Sequence, residues 1–372
     1  METINVKTQK KRKNKCLIVL PCFNAGGKIT RALKSVTTLN LAYELVIVDD
    51  CSTDNTIEIL QHPEVSHLYT DLIIHSENRG VSAARNTGLE WGKNKNIKHI
   101  LFLDADDHFI EMDMNHHLNE TSDFHVFESY ETLDFYSDAV AFDKFISKKN
   151  TIQLQNIAQI CSTYAITPNK VSVFTSCWAK AFNARLIYKI NLKFNEKMKT
   201  FEDVDFNYRY LQNCSDVTLI NAACYAHTNP KNRSQTGSFG AGNRIIDLFG
   251  FVWAIRSFRN FAKTKIPDKT LNFDGLFSAY YAISLMRAGR KVNSWSSFWD
   301  FYKFIKKRTQ KTYVQKAIRN YNVTQAGGRQ ILASLIKMRY SMSLTLYVVL
   351  MVQIERFWEA KRWKKLSRSG KM

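Results

Sequence analysis

The sequence predicts an α/β fold: a mostly parallel sheet with helices on both faces, followed by an α-helical region. Three observations carry this. Short apolar runs alternate with segments of helical spacing through the first hundred residues, which implies parallel strands joined by crossover helices. The polar residues of that stretch collect at the carboxyl ends of the runs, at 21–24, 49–50, 75–78 and 104–107, where open parallel sheets bind ligands. Charge is also segregated. Residues 251–372 hold 25 Lys and Arg against 5 Asp and Glu, while 1–250 hold 28 of each, so the whole formal charge of +20 lies in the last third.

Cys16-Leu17-Ile18-Val19-Leu20, stopped by Pro21, has the length and content of a buried strand. Asn24-Ala25-Gly26-Gly27 reads as a turn, and Ile29, Leu33 and Val36 predict a helix over 28–37. Leu45-Val46-Ile47-Val48 is the second strand, and Ser52-Thr53-Asp54 supplies caps for a helix through Ile57 and Leu60. Leu72-Ile73-Ile74 is the third strand, 79–92 the third helix and Ile100-Leu101-Phe102-Leu103 the fourth strand. Regularity then falls. A strand is predicted at 124–127, a hairpin or loop at 130–148, a helix at 152–164, a short helix after Lys180 and an acid-led helix at 200–211. Beyond 245, helices separate near Pro267, Asn293-Ser294 and Gly327-Gly328. The predicted organisation is a basic tail over 1–14, an α/β domain over 15–245 and a basic helical region over 246–372.

The first fifteen residues are polar and basic, unlike a secretory signal, and the apolar stretch at 344–352 is too short for an ordinary spanning helix. Seven scattered cysteines lack metal-ligand spacing, so they are expected as reduced thiols in a cytoplasmic protein.

The most informative segment is Ile100-Leu101-Phe102-Leu103-Asp104-Ala105-Asp106-Asp107. Carboxylates held this close repel unless a cation joins them, and carboxylate and diphosphate oxygens suit Mg2+ or Mn2+. Taken alone, the segment fits a metal-bridged phosphate site or a solvated acidic turn. Asp49-Asp50 fits ligand contact or helix capping. Glu202-Asp203 fits catalysis or the ordinary preference for acids at a helix start. Trp178 fits sugar stacking or core packing, and His227 fits metal ligation or a structural role.

Five motifs in order change that balance: Leu20-Pro21-Cys22-Phe23-Asn24, Val48-Asp49-Asp50-Cys51-Ser52-Thr53-Asp54, Asn78-Arg79-Gly80 with Ala84-Arg85-Asn86-Thr87-Gly88, Leu103-Asp104-Ala105-Asp106-Asp107, and Phe201-Glu202-Asp203. Across residues 15–227 the chain resembles the family 2 glycosyltransferases, inverting enzymes of the GT-A nucleotide-diphospho-sugar transferase fold. The resemblance implies a UDP-sugar donor. Pro21 and Phe23 would wall the base, with Phe23 replacing a commoner tyrosine. Asn24 and Asp49 would touch the nucleoside, and Asp50 would accept from the uracil imide. Asp106 would ligate Mn2+ or Mg2+, Asp104 would hold the ribose or complete the metal shell, and His227 would add a metal or phosphate contact. Asp203 matches the catalytic base. Glu202 would orient the acceptor, Trp178 and Lys180 fall at an acceptor site, and Arg85 and Asn86 are expected to be structural. Asp205 is expected on the helix surface and Asp107 has no assigned role. Lys231, Asn232 and Arg233 open a polar stretch with the composition of a lid.

The basic region lies outside these motifs. Residues 343–358 are apolar and aromatic, and Lys361, Arg362, Lys364, Lys365 and Arg368 follow. That order resembles an interfacial anchor for an anionic membrane surface, with a solvated helix face or a homo-oligomer contact as alternatives. No nucleic-acid-binding motif is present, so nucleic acid is not expected as a partner. The expected function is sugar transfer from a UDP-sugar to a glycan or lipid-linked glycan acceptor in bacterial surface polysaccharide synthesis, peripheral on the inner face of the cell membrane. A polyprenyl-phosphate glycosyltransferase and an inactive membrane-associated scaffold are the competing expectations.

Overall fold

The computed structural model describes residues 15–118, 122–132, 140–141, 150–153, 174–228, 248–265, 273–319 and 330–368. The chain divides into two compact units. The first comprises Met1–Ala158, Val173–Lys231 and Lys263–Ile266. Among the described residues its ten strands are β1 (Lys15–Cys22), β2 (Ala42–Asp49), β3 (Asp71–Ile74), β4 (His99–Phe102), β5 (His108–Phe109), β6 (Phe124–Thr132), β7 (Val140–Ala141), β8 (Asn150–Gln153), β9 (Lys180–Asn183) and β10 (Asp216–Thr228). They form one sheet in the order β3-β2-β1-β4-β9-β6-β10-β5, with β7 on β6 and β8 on β10.

The first four strands pair in parallel, β2 and β4 flanking β1 and β3 lying outside β2. Antiparallel β9 joins this block to β6, and β10 runs parallel to β6 and antiparallel to β5. The sheet is therefore mixed, parallel where the sequence alternates strand and helix and irregular where that alternation fails.

Strand β1 is covered on both sides, which is why its sequence is continuously apolar rather than alternating. Cys16, Ile18 and Leu20 join Ile29, Leu33 and Val36 of helix α1 (Ile29–Val36) in one core cluster. On the opposite face, Gly88 of α4 (Val81–Gly92) lies against Val19. A Cβ there would come within 2.4 Å of Val19 Cγ1, so the glycine lets the helix approach the strand and sets Arg85 one turn away. Between β2 and β3 lie α2 (Thr56–Gln61) and α3 (Pro63–Ser66). Short α5 (Met114–His117) and α6 (Ala184–Lys189) follow, then α7 (Glu202–Leu211).

Two local expectations change. The strand β8 occupies Asn150–Gln153, so the helix predicted over 152–164 does not begin where expected, and its remainder lies outside the described residues. Helix α2 starts only at Thr56, because Ser52 bonds Asp49 while Asp54 Oδ1 accepts from the Thr56 amide. The basic tail over 1–14, most of 130–148 and the proposed lid from Lys231 through Asn232 and Arg233 also lie outside the described residues.

The second unit comprises Gln159–Ser172, Asn232–Ala262 and Pro267–Met372. It is helical: α8 (Leu248–Lys265, largely in this unit), α9 (Phe273–Gly289), α10 (Trp295–Thr309), α11 (Thr312–Arg319), α12 (Gln330–Lys337) and α13 (Ser341–Arg368). Ser294 caps α10 through a reciprocal capping box with Ser297, stabilising its exposed start. No helix among the described residues is long and apolar enough to cross a membrane.

Candidate active site

The parallel block delivers two acidic strand ends. At the end of β2, Asp49 is fully buried, and its carboxylate accepts from the Ser52 amide at 2.8 Å, the Ser52 hydroxyl at 2.5 Å and the Cys22 thiol at 3.5 Å. Asp50 is also buried. Its Oδ1 accepts from the Arg79 amide at 3.0 Å and bonds His75 Nδ1 at 2.7 Å, and its Oδ2 accepts from the Gly80 amide at 2.6 Å. Gly80 holds φ at +89°, a conformation that suits glycine, so residue and carboxylate together shape the entry to α4. His75 continues the chain of contacts through Nε2 to Thr87 at 2.9 Å. Asp49, expected at the nucleotide, makes these three contacts within the loop, to Ser52 and Cys22. Asn24 likewise braces the loop, its Oδ1 accepting from the Thr53 amide at 2.8 Å. Pro21 is buried in β1, while Phe23 projects with 48% of its surface exposed, leaving an apolar face beside this loop.

At the end of β4 the three carboxylates separate. Asp107 points inward and accepts from Tyr225 Oη at 2.7 Å and the Thr228 amide at 2.8 Å, with His227 Nδ1 at 3.1 Å. The antiparallel pairing of Tyr225 with Phe109 brings these β10 groups to it. Tyr225 Oη also accepts from the Asp104 amide at 3.1 Å, tying both ends of the acidic turn to one phenol. Burial opposes the charged form of His227, but the hydrogen bond and charge of Asp107 outweigh it and raise the imidazole to about 9. Asp106 faces outward, with Lys28 Nζ 3.8 Å away. Burial, followed by repulsion from Asp107 and Asp104, lifts the Asp106 carboxyl to about 6.

The third group arrives from α7. Phe201 caps that helix in the left-handed region at φ +66°, an uncommon conformation for a bulky residue, and turns the chain so that Glu202 and Asp203 open the first turn. Arg85, buried on α4, joins the pieces. Its Nη1 reaches Asp203 Oδ1 at 2.6 Å and Glu202 Oε1 at 3.5 Å, and its Nη2 reaches Asp104 Oδ1 at 2.9 Å. Burial works against the guanidinium charge; the surrounding anions, Asp203 foremost, outweigh that and hold it protonated. Glu202 is pushed up to about 7 by burial and then by Asp203, despite Arg85. Asp203 Oδ2 accepts from the Cys177 amide at 3.3 Å. Asp205, expected at the surface, is buried and binds Arg209 at 2.6 Å, because the helix turns that side inward.

Trp178 lies flat across two β10 rings, 5.1 Å from Tyr225 and 5.5 Å from His227, with interplanar angles of 6° and 12°. Lys180 donates to the Trp178 carbonyl at 3.1 Å, and burial lowers its ammonium to about 8.

Among the described residues, no three His, Cys, Asp or Glu side chains form a ready metal cage. The donors still fit Mg2+ or Mn2+ shared with a ligand, since such ions bind through one or two carboxylates with phosphates and water completing the shell. The supporting observation is the donor set itself: Asp104 and Asp106 place two carboxylates two residues apart at one strand end.

The structure thus gathers Asp104, Glu202 and Asp203 on one arginine and places Asp106 and His227 around Asp107. Sequence reasoning missed Tyr225 and placed His75 at a strand end without a role of its own. Tyr225 carried a signal, being two residues before His227 and therefore on the same face of a strand. His75 carried none beyond its place at a strand end.

This sheet, with its acidic strand ends, has the GT-A fold. Residues 17–126 match the glycosyl transferase family 2 model. S. aureus TarS 1–349 in complex with UDP-GlcNAc superposes with a TM-score of 0.59 over 92% of both chains at 16% identity, a likeness of fold. The chain is 36% identical over 95 residues to the uncharacterized glycosyltransferase YibD of Escherichia coli, covering 25% of this chain and 26% of the relative. It is 27% identical over 213 residues to poly(ribitol-phosphate) beta-N-acetylglucosaminyltransferase TarP of Staphylococcus aureus, covering 55% and 60%. The chain thus spans about a quarter to three fifths of the length of these curated relatives.

Proposed function

We propose that this protein is a metal-dependent, inverting glycosyltransferase that moves a sugar from a UDP donor to a hydroxyl of a bacterial glycan. The observation that carries the reading is the junction at Arg85, which binds the donor-side carboxylate Asp104 and the acceptor-side carboxylate Asp203 through its two terminal nitrogens. The donor assignment draws support from TarS, solved in complex with UDP-GlcNAc, and the glycan assignment from TarP and the succinoglycan biosynthesis protein ExoU of Rhizobium meliloti.

In this reading Phe23 and the edge of Pro21 receive the base, Asn24 and the Asp50-held loop frame the nucleoside, and Asp104 meets the ribose. Asp106 and, once it gives up a ring proton, His227 would hold Mg2+ or Mn2+, with Asp104 beside them. When bound, the ion acts as a Lewis acid on the departing diphosphate. Arg85 fixes Asp203 Oδ1, and Oδ2, which also accepts from the Cys177 amide, has a second lone pair to take the acceptor proton. The acceptor oxygen forms its bond to the anomeric carbon as the carbon–oxygen bond to diphosphate breaks. The bonding pair leaves with the diphosphate from the opposite face, so configuration inverts. Only one base is required. Trp178 and Glu202 border the acceptor side. The acceptor is a glycan or lipid-linked glycan, and the enzyme works peripherally at the inner membrane face.

The test is hydrolysis of a panel of UDP-sugars by the purified chain with Mn2+ and with chelator. Mn2+-dependent release of UDP from one donor is expected. No release from any donor, with no thermal shift by UDP and Mn2+, would overturn the reading.

A further inference from the structure

The second unit has an apolar stripe that its own packing does not use. Helix α13 is seated by Leu344, Val348 and Val352, which are buried, and a Cβ placed on Gly289 of α9 would lie 2.6 Å from Val348 Cγ1. On another side of the same helix, Met342, Leu346, Leu350 and Ile354 recur every fourth residue, 37%, 55%, 59% and 39% exposed. Their spacing aligns them along about 18 Å of helix axis. In the sequence, the same three-to-four-residue spacing then reaches Lys361 and Lys364.

We infer that this stripe is the membrane-docking element, lying in the plane of an anionic lipid surface with its leucines in the headgroup–acyl boundary and the basic end of the helix on the phosphates. This rests on the peripheral membrane setting proposed above and names the surface responsible. The charge distribution selects the occupant. The region carries the protein's whole surplus of +20, so two copies meeting along it repel, whereas an anionic bilayer attracts it. Apolar residues backed by lysines are the pattern of an interfacial helix, and α13 does not qualify as a span.

The experiment is co-sedimentation of the full chain with phosphatidylcholine vesicles with and without phosphatidylglycerol, alongside Leu346→Ser/Leu350→Ser and Lys361→Glu/Lys364→Glu. The native chain is expected to bind the anionic vesicles and to be released by high salt. Removing both leucines should weaken binding by about tenfold or more at unchanged melting temperature. Reversing the lysines should abolish the preference for anionic lipid. Unchanged binding in both variants would overturn the inference, as would a native dimer that the leucine variant converts to monomer. UDP-sugar hydrolysis in vesicle-free buffer reports separately on the transferase reading.

Discussion

Strands β2 and β4 both end in adjacent carboxylates on the same edge of the parallel block, yet the protein uses them differently. At β2, Asp49 and Asp50 are buried and satisfied by Ser52, Arg79, Gly80 and His75, so their charge organises backbone. At β4, only Asp107 is used in this way; Asp104 is shared with Arg85, and Asp106 faces outward among like charges. The first end is stabilised as it stands. The second keeps a repulsion that a cation and a diphosphate can relieve. Acidic strand ends alike in sequence can therefore be held by backbone amides in one place and be shared with an arginine in another, and neighbouring donors decide which.

The largest effect should come from the carboxylate that completes the second end from α7. Asp203→Asn keeps the shape but cannot take a proton, and transfer should fall about 100- to 10,000-fold while UDP binding by calorimetry is retained. Next, Asp106→Ala should lower transfer by about 100-fold or more through loss of cation binding. Because it removes a repelled carboxylate, its urea midpoint should hold or rise. Asp50→Ala should behave in the opposite way. It leaves the Arg79 and Gly80 amides without their acceptor and should cost about 2–4 kcal/mol in urea unfolding. If Asp50→Ala were neutral and Asp106→Ala destabilising, the contrast between the ends would collapse.

The smallest effect is in pH dependence. Folded Asp106 and Glu202 bind protons more tightly than in the unfolded chain, at about 6 and about 7. The folded state thus holds more protons, and their contribution to stability declines as pH rises from the unfolded carboxyl range through those values. Mn2+ competes with the Asp106 proton, so its apparent affinity should rise between about pH 5 and 7. Thermal melts across that range, with and without Mn2+, should show the ion offsetting the decline, and Asp106→Ala should lose its own part of it while the parts due to Glu202 and His227 remain.

Much of this was legible in the sequence because it depends on residue type and position along a strand. Continuous apolar runs place β1 to β4, and polar residues at their ends place the site. The structural assignments of Arg85 and Asn86 also agree with the geometry, since Asn86 bonds the Phe194 backbone in both directions at 2.7 and 2.9 Å. Less legible was how each carboxylate is used. Asp49 and Asp107 look like their neighbours in sequence, and only the pairing of β10 with β5 brings Tyr225 to one of them. Strand β8 was hidden because it pairs with β10, far along the chain, and its four residues carry no periodicity of their own. Asp205 depended on which side of α7 meets the core.

Calorimetric binding of UDP in the presence of Mn2+, compared between the native chain and Asp106→Ala, tests the central claim most directly. Saturable, Mn2+-dependent binding is expected for the native chain, with its loss in a variant that melts no lower. Equal affinity in the two proteins, or native binding indifferent to Mn2+, would contradict it.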